Sequence, residues 1–131
     1  MLRQRIAAVT VAAVAATGLV AATAPEASAS TCRQNVYGYG GTGYCVKAIQ
    51  ALVSASSTTS PENDIRYTIA RDGSFGSKTL RAVKKYQSIG GLAVDGRVGK
   101  NTWSRLCNHG AYWGDNMSLK RDYRWAEKYA C

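Results

Sequence analysis

The sequence predicts an all-α fold: a small three-helix module, flanked by an N-terminal arm and a C-terminal helical extension. Two of its helices are launched by turns of one pattern. Three observations carry this. The pattern D-G-x-x-G-x-x-T stands at residues 72–79 and returns at 95–102, 23 positions later. Apolar residues recur at helical spacing in three successive segments. Alternation at Ile65, Tyr67 and Ile69 supports a short extended segment at most.

The first element is a leader. Arg3 and Arg5 precede an apolar run from Ile6 to Ala22, and Ala27-Ser28-Ala29 supplies small residues at −3 and −1 of a cleavage point. That is the three-part pattern of a secretory signal peptide over residues 1–29. A membrane anchor is the rival, but a run of about 17 Ala-, Val- and Thr-rich residues is at the short, weakly apolar edge of a span. Cleavage leaves 102 of the 131 residues, enough for one small domain, secreted and without a membrane segment. The net charge of +9 becomes +8, because two arginines and one glutamate leave with the leader. Such an excess favours anionic partners, cell-wall polymers among them.

Residues 30–44 (…N-V-Y-G-Y-G-G-T-G-Y) have no helical period and read as an irregular arm. Residues 45–55 place Val46, Ile49, Leu52 and Val53 on one helical face. A Ser/Thr-rich loop follows, ending at Pro61. In each repeat, Asp-Gly favours a tight turn, and the second Gly permits close passage or the start of a helix. The helices that follow are expected over residues 77–88, burying Leu80, Val83 and Tyr86, and 100–107, burying Trp103 and Leu106. Gly90-Gly91 ends the first of them. Residues 108–131 form an aromatic, basic extension in which Leu119, Tyr123, Ala126 and Tyr129/Ala130 keep helical spacing.

Four cysteines in the exported part read as two disulfides, with three pairings open. No metal or cofactor is expected: Cys107-Asn108-His109 lacks ligand spacing. The two aspartates invite comparison with a glycosidase pair. Yet Asp72 and Asp95 occupy equivalent turns, whereas acid/base division needs environments that push two pKa values apart. No nucleophile or zincin motif is present. Lys78, Arg81, Lys84 and Lys85 on one helix, and Lys120, Arg121, Arg124 and Lys128 on another, read first as solvated faces. No nucleic-acid recognition motif accompanies the charge, so no nucleic-acid partner is expected. Eight of the 12 aromatics lie outside residues 45–107, and Trp113 and Trp125 are the candidates there for stacking on a sugar face.

Val46-Lys47-Ala48-Ile49-Gln50, residues 72–87 and residues 91–106 together resemble the type-1 peptidoglycan-binding domain family. The resemblance covers about 61 of the 102 mature residues. It departs at Ser77 and Lys100, where the family often has Pro, and at Arg71, where an apolar residue usually precedes Asp. The resemblance implies a non-catalytic module at residues 45–107 that binds peptidoglycan or another anionic wall polymer as a monomer. Asp72, Gly73, Phe75, Gly76, Thr79, Asp95, Gly96, Gly99 and Thr102 would be scaffold. It places the ligand surface around the second and third helices, with Arg71, Arg81, Tyr86, Gln87 and Trp103 as contacts. It also implies the disulfides Cys45–Cys107 and Cys32–Cys131. The alternatives are a small wall hydrolase or its accessory, and a protein-interaction or cationic antimicrobial module.

Overall fold

The computed structural model describes residues 32–56, 69–108 and 116–131. The expected leader, most of the Ser/Thr-rich loop with the extended segment before Ile69, and His109, Tyr112 and Trp113 lie outside those residues. Four helices follow in order: α1 Tyr44–Ala55, α2 Ser77–Ile89, α3 Lys100–Asn108 and α4 Met117–Ala130. Among the described residues there is no strand, only two isolated antiparallel bridges. The fold is all-α.

Composition decides where α1 goes. Every residue from Ala48 to Ala55 is buried, as is Val46, so the helix is covered on nearly all sides and sits in the middle. The other three bury one stripe each: Thr79, Ala82, Val83, Tyr86 and Gln87 on α2; Thr102, Trp103 and Leu106 on α3; Leu119, Tyr123, Ala126 and Ala130 on α4. All three touch α1, and α4 packs along it most extensively. The start of α4 is fixed by Asn116, whose side chain accepts a hydrogen bond from Leu119 N at 2.9 Å.

The arm is more ordered than its composition implies. It runs across both turns of the repeat: Tyr37 exchanges two backbone bonds with Val98 (3.2 and 2.7 Å). Further along, Gly40 N donates to Phe75 O (3.0 Å), Phe75 N to Gly41 O (2.8 Å) and Gly43 N to Gly73 O (2.8 Å). Phe75 and Val98 hold the same place in the two repeats, so one strap serves both. Its Gly content fits this role, because small residues let backbone approach backbone.

The disulfides differ from the expected pairing. Cys32 bonds Cys45 and Cys107 bonds Cys131, with Cα–Cα distances of 5.5 and 5.4 Å. Neither Cys45–Cys107 nor Cys32–Cys131 forms. Each bridge ties an extension to the nearest helix end: the arm to the start of α1, and the end of α4 to the end of α3. The arm and the tail do meet, but through hydrogen bonds. Arg33 Nη1 donates to Cys131 O (3.2 Å) and Tyr44 Oη to Tyr129 O (2.6 Å).

Candidate functional site

The repeated turns are built around two buried glutamines. Gln50 of α1 places Nε2 within 2.9 Å of Asp72 Oδ1, 3.0 Å of the Ser74 carbonyl and 3.1 Å of Thr79 Oγ1. Its Oε1 accepts from Gly73 N at 2.8 Å. Gln87 of α2 repeats the arrangement: Nε2 lies 2.9 Å from Asp95 Oδ1, 2.9 Å from the Arg97 carbonyl and 3.3 Å from Thr102 Oγ1. Its Oε1 accepts from Gly96 N at 2.9 Å. Only a neutral amide offers donors and an acceptor on one planar head; Glu lacks the donors and Lys the acceptor.

Each letter of D-G-x-x-G-x-x-T now has a task. The aspartate accepts from the glutamine and from the amide two residues on, Ser74 N at 2.9 Å or Arg97 N at 2.8 Å. Gly73 and Gly96 have φ of 77° and 72°, the left-handed region that L side chains rarely enter. A Cβ on Gly96 would also lie 2.5 Å from Leu80 Cδ1. Gly76 and Gly99 supply the first helical carbonyls, accepting from Leu80 N and Trp103 N at 2.9 Å each. Thr79 and Thr102 turn inward and close the clamp.

The same bonds set the acidity of the aspartates. Asp72 is held below the usual carboxylate range, first by the Gln50 amide and then by the Ser74 N–H. Asp95 is lowered too, mainly by the Arg97 N–H and further by Gln87, against an opposing effect of burial. Both carboxylates are therefore ionised at neutral pH, and neither is a proton donor there.

Two open regions flank this scaffold. Above the second turn, a concavity of about 330 Å³ runs between the end of α2 and the start of α3, edged by Ala93, Asp95, Arg97, Lys100 and Asn101. Arg97 also borders a second hollow of about 380 Å³, formed with Val36, Tyr37 and Tyr39 of the arm. Tyr39 is 71% exposed. On another part of the surface, a cleft of about 200 Å³ is lined by Lys47, Ala51, Arg71, Arg121, Asp122 and Trp125. Arg71 Nε is paired with Asp122 Oδ2 there.

The chain is similar in sequence to known proteins. An uncharacterized protein from the bpoA1 3′ region of Kitasatospora aureofaciens is 37% identical over 113 residues, covering 78% of this chain and 89% of that one. Residues 62–106 match the model of a peptidoglycan binding domain, the type-1 family. The chain belongs to the type-1 peptidoglycan-binding family. A crystal structure of a peptidoglycan-binding protein from Clostridioides difficile, in complex with glutamine hydroxamate, is 35% identical to it with a TM-score of 0.48. That alignment covers 56% of this chain and 41% of the other, so the chain spans about two-fifths of that protein's length.

In this member of the family, the residues expected at the ligand surface fall into distinct places. Gln87 and Trp103, at 1% and 0% exposure, are interior and offer a ligand no face. Gln87 is spent on the second turn, and Trp103 packs edge-on against Tyr37 with centroids 6.0 Å apart. Tyr86 is buried as well, which pushes its hydroxyl up to about 12. Arg81 is exposed on α2 but borders none of the three hollows. Arg71 and Trp125 are brought together, 54 positions apart in sequence, in the 200 Å³ cleft. Trp113 lies outside the described residues.

Sequence reasoning missed Gln50, Arg97, Lys100 and Asn101. The first had a signal: Val46-Lys47-Ala48-Ile49-Gln50 and Val83-Lys84-Lys85-Tyr86-Gln87 share V-K-x-x-Q, so the repeat extends to its own clamp. The other three occupy variable positions of the motif, where nothing in the pattern distinguishes a wall of a groove from a solvated turn.

Proposed function

We propose that the protein is exported and binds peptidoglycan without cleaving it, gripping the wall through the groove over its second turn. The observation that supports this most strongly is the groove itself. Residues 91–102 form it, wholly inside the family match, and it presents Arg97, Lys100 and the Asn101 amide around an ionised Asp95. Such a surface can hold carboxylates and amides of a peptide-bearing glycan, but it contains no protonated acid to assist a leaving group. Export is supported by the A-x-A-terminated leader pattern and by two disulfides, which persist in oxidising compartments. Among the described residues, no helix is long and apolar enough to cross a membrane. The exposed Tyr39 beside Arg97 extends the groove with a ring suited to an apolar sugar face.

Co-sedimentation with purified insoluble peptidoglycan tests this. The protein is expected in the pellet at 0.1 M salt, and Arg97→Glu/Lys100→Glu is expected to weaken retention by about tenfold. No soluble reducing sugar should appear. Wild-type protein left wholly in the supernatant refutes binding, and release of reducing ends refutes the non-catalytic reading.

A further inference from the structure

The cleft around Trp125 lies away from the groove and draws half its lining from α4, beyond the family match. Its parts come from three places: Lys47 and Ala51 on α1, Arg71 just before the first turn, and Arg121, Asp122 and Trp125 on α4. Three cations and one carboxylate therefore share about 200 Å³, an excess of two positive charges. The carboxylate is committed. Asp122 pairs with Arg71 through one oxygen, and its other oxygen lies 3.8 Å from Arg121 Nε. The Lys47 ammonium lies 5.6 Å from the Trp125 ring centroid, over the indole. Lys47 is exposed, and the Arg121 side chain is 78% exposed.

Trp125 is a braced platform. Tyr44 meets it edge-on at 5.2 Å between centroids, and Tyr129 packs against it at 6.2 Å. The half-buried indole has the exposed Lys47 ammonium above its ring. An ammonium over an indole is a modest interaction when exposed, about 0.5–1 kcal/mol, so a stronger anionic partner displaces it readily.

We propose that this cleft is a second binding site, for a carboxylate carried on a small apolar or sugar framework. The framework would lie on Trp125 and the carboxylate would take Lys47 and Arg121. The volume is below the roughly 300–1,000 Å³ of pockets for drug-sized ligands, so it admits one sugar ring or one amino-acid unit. Inorganic phosphate would meet the same cations but brings no framework to lie on Trp125, so it engages the indole less than a carboxylate carried on a ring or an amino-acid unit. Given the wall-binding reading, on which the choice of ligand rests, peptidoglycan supplies this chemistry from two sources: the lactyl carboxylate of a muramic sugar that carries no stem and the free end of a peptide stem. The α4 extension thus adds a short-range contact to the module, stitched in place by Cys107–Cys131.

The test follows the Trp125 indole N–H in ¹H–¹⁵N spectra of the full mature chain, assigned with Trp125→Phe. The probes are N-acetylmuramic acid, D-alanyl-D-alanine, N-acetylglucosamine and inorganic phosphate. At least one of the two carboxylates is expected to move the resonance saturably, and which one identifies the source. The neutral sugar and phosphate should leave it in place. Lys47→Glu should weaken the carboxylate response about tenfold while the rest of the spectrum stays dispersed. The proposal is overturned if neither carboxylate moves the resonance, if N-acetylglucosamine or phosphate moves it equally, or if folded Lys47→Glu binds as tightly as wild type. The wall-binding reading is judged separately, by whether the wild-type chain sediments with peptidoglycan: a silent cleft in a sedimenting protein sinks the second site alone.

Discussion

Gln87→Ala is expected to lower the unfolding free energy by about 2–4 kcal/mol, and Gln50→Ala by a similar amount. The largest part comes from the backbone. Gly96 N–H and Gly73 N–H are buried, and each donates to one of these two side-chain oxygens. Truncation leaves each without its acceptor, at about 1–3 kcal/mol per group. The aspartates lose less, because they are exposed and water replaces the amide. In a domain of this size, each kcal/mol moves the midpoint by about 4–8 °C, so thermal melts followed by circular dichroism resolve the effect easily. Gln87→Glu separates shape from chemistry: it keeps the outline but turns a carboxylate toward Asp95 and the Arg97 carbonyl. It should destabilise at least as much as the alanine. An unchanged midpoint in either alanine variant would mean that the turn supports itself.

Removing Cys107–Cys131 is the second large perturbation. The bridge closes 24 residues of sequence, and loops of that order stabilise by about 3 kcal/mol, chiefly by restricting the unfolded chain. Cys107→Ser/Cys131→Ser should lose about that amount. The damage should be local first: α4 still buries Leu119, Tyr123 and Ala126, but its last turn would be held by the small Ala130 and by the hydrogen bonds from Arg33 and Tyr44. Limited proteolysis should therefore cut within the C-terminal extension before the module. Non-reducing peptide mapping of the wild type should recover Cys32 with Cys45 and Cys107 with Cys131.

Much of this architecture is legible in the sequence because it rests on periodicity. The apolar stripes of α1 through α4, the turn signals and the stop at Gly90-Gly91 all follow from local spacing. What escaped is what depends on partners far along the chain. Gln87 is polar and follows Tyr86 at the end of an amphipathic helix, so hydropathy assigns it to the surface; only the turn eight residues later gives it a reason to be inside. Trp103 is ambiguous from sequence, since a ring for stacking and a ring for the core look alike. The pairing Cys45–Cys107 and Cys32–Cys131 that the resemblance implies is wrong because where helix ends meet depends on α4, which packs on α1 from outside the repeat and brings Cys131 to Cys107. Arg71 is the instructive departure. Where an apolar residue is usual, the C-terminal helix supplies Asp122 to pair with the arginine.

The central claim is that the duplicated aspartates are scaffold, and their ionisation tests it. A carboxylate whose folded pKa lies below its unfolded value stabilises the fold at any pH above the unfolded value. That contribution disappears as pH falls through the folded value. Stability should thus hold from neutral pH down to about 4 and decline below it. The direct measurement is a ¹³C carboxyl titration of Asp72 and Asp95. Both should titrate below the ordinary aspartate value. Asp72 should rise back toward it in Gln50→Ala, while Asp95 should move less in Gln87→Ala, because the Arg97 N–H is its main support. Either aspartate titrating above the ordinary value would contradict the account, for it would place a proton-holding acid in a turn whose carboxylates serve as scaffold.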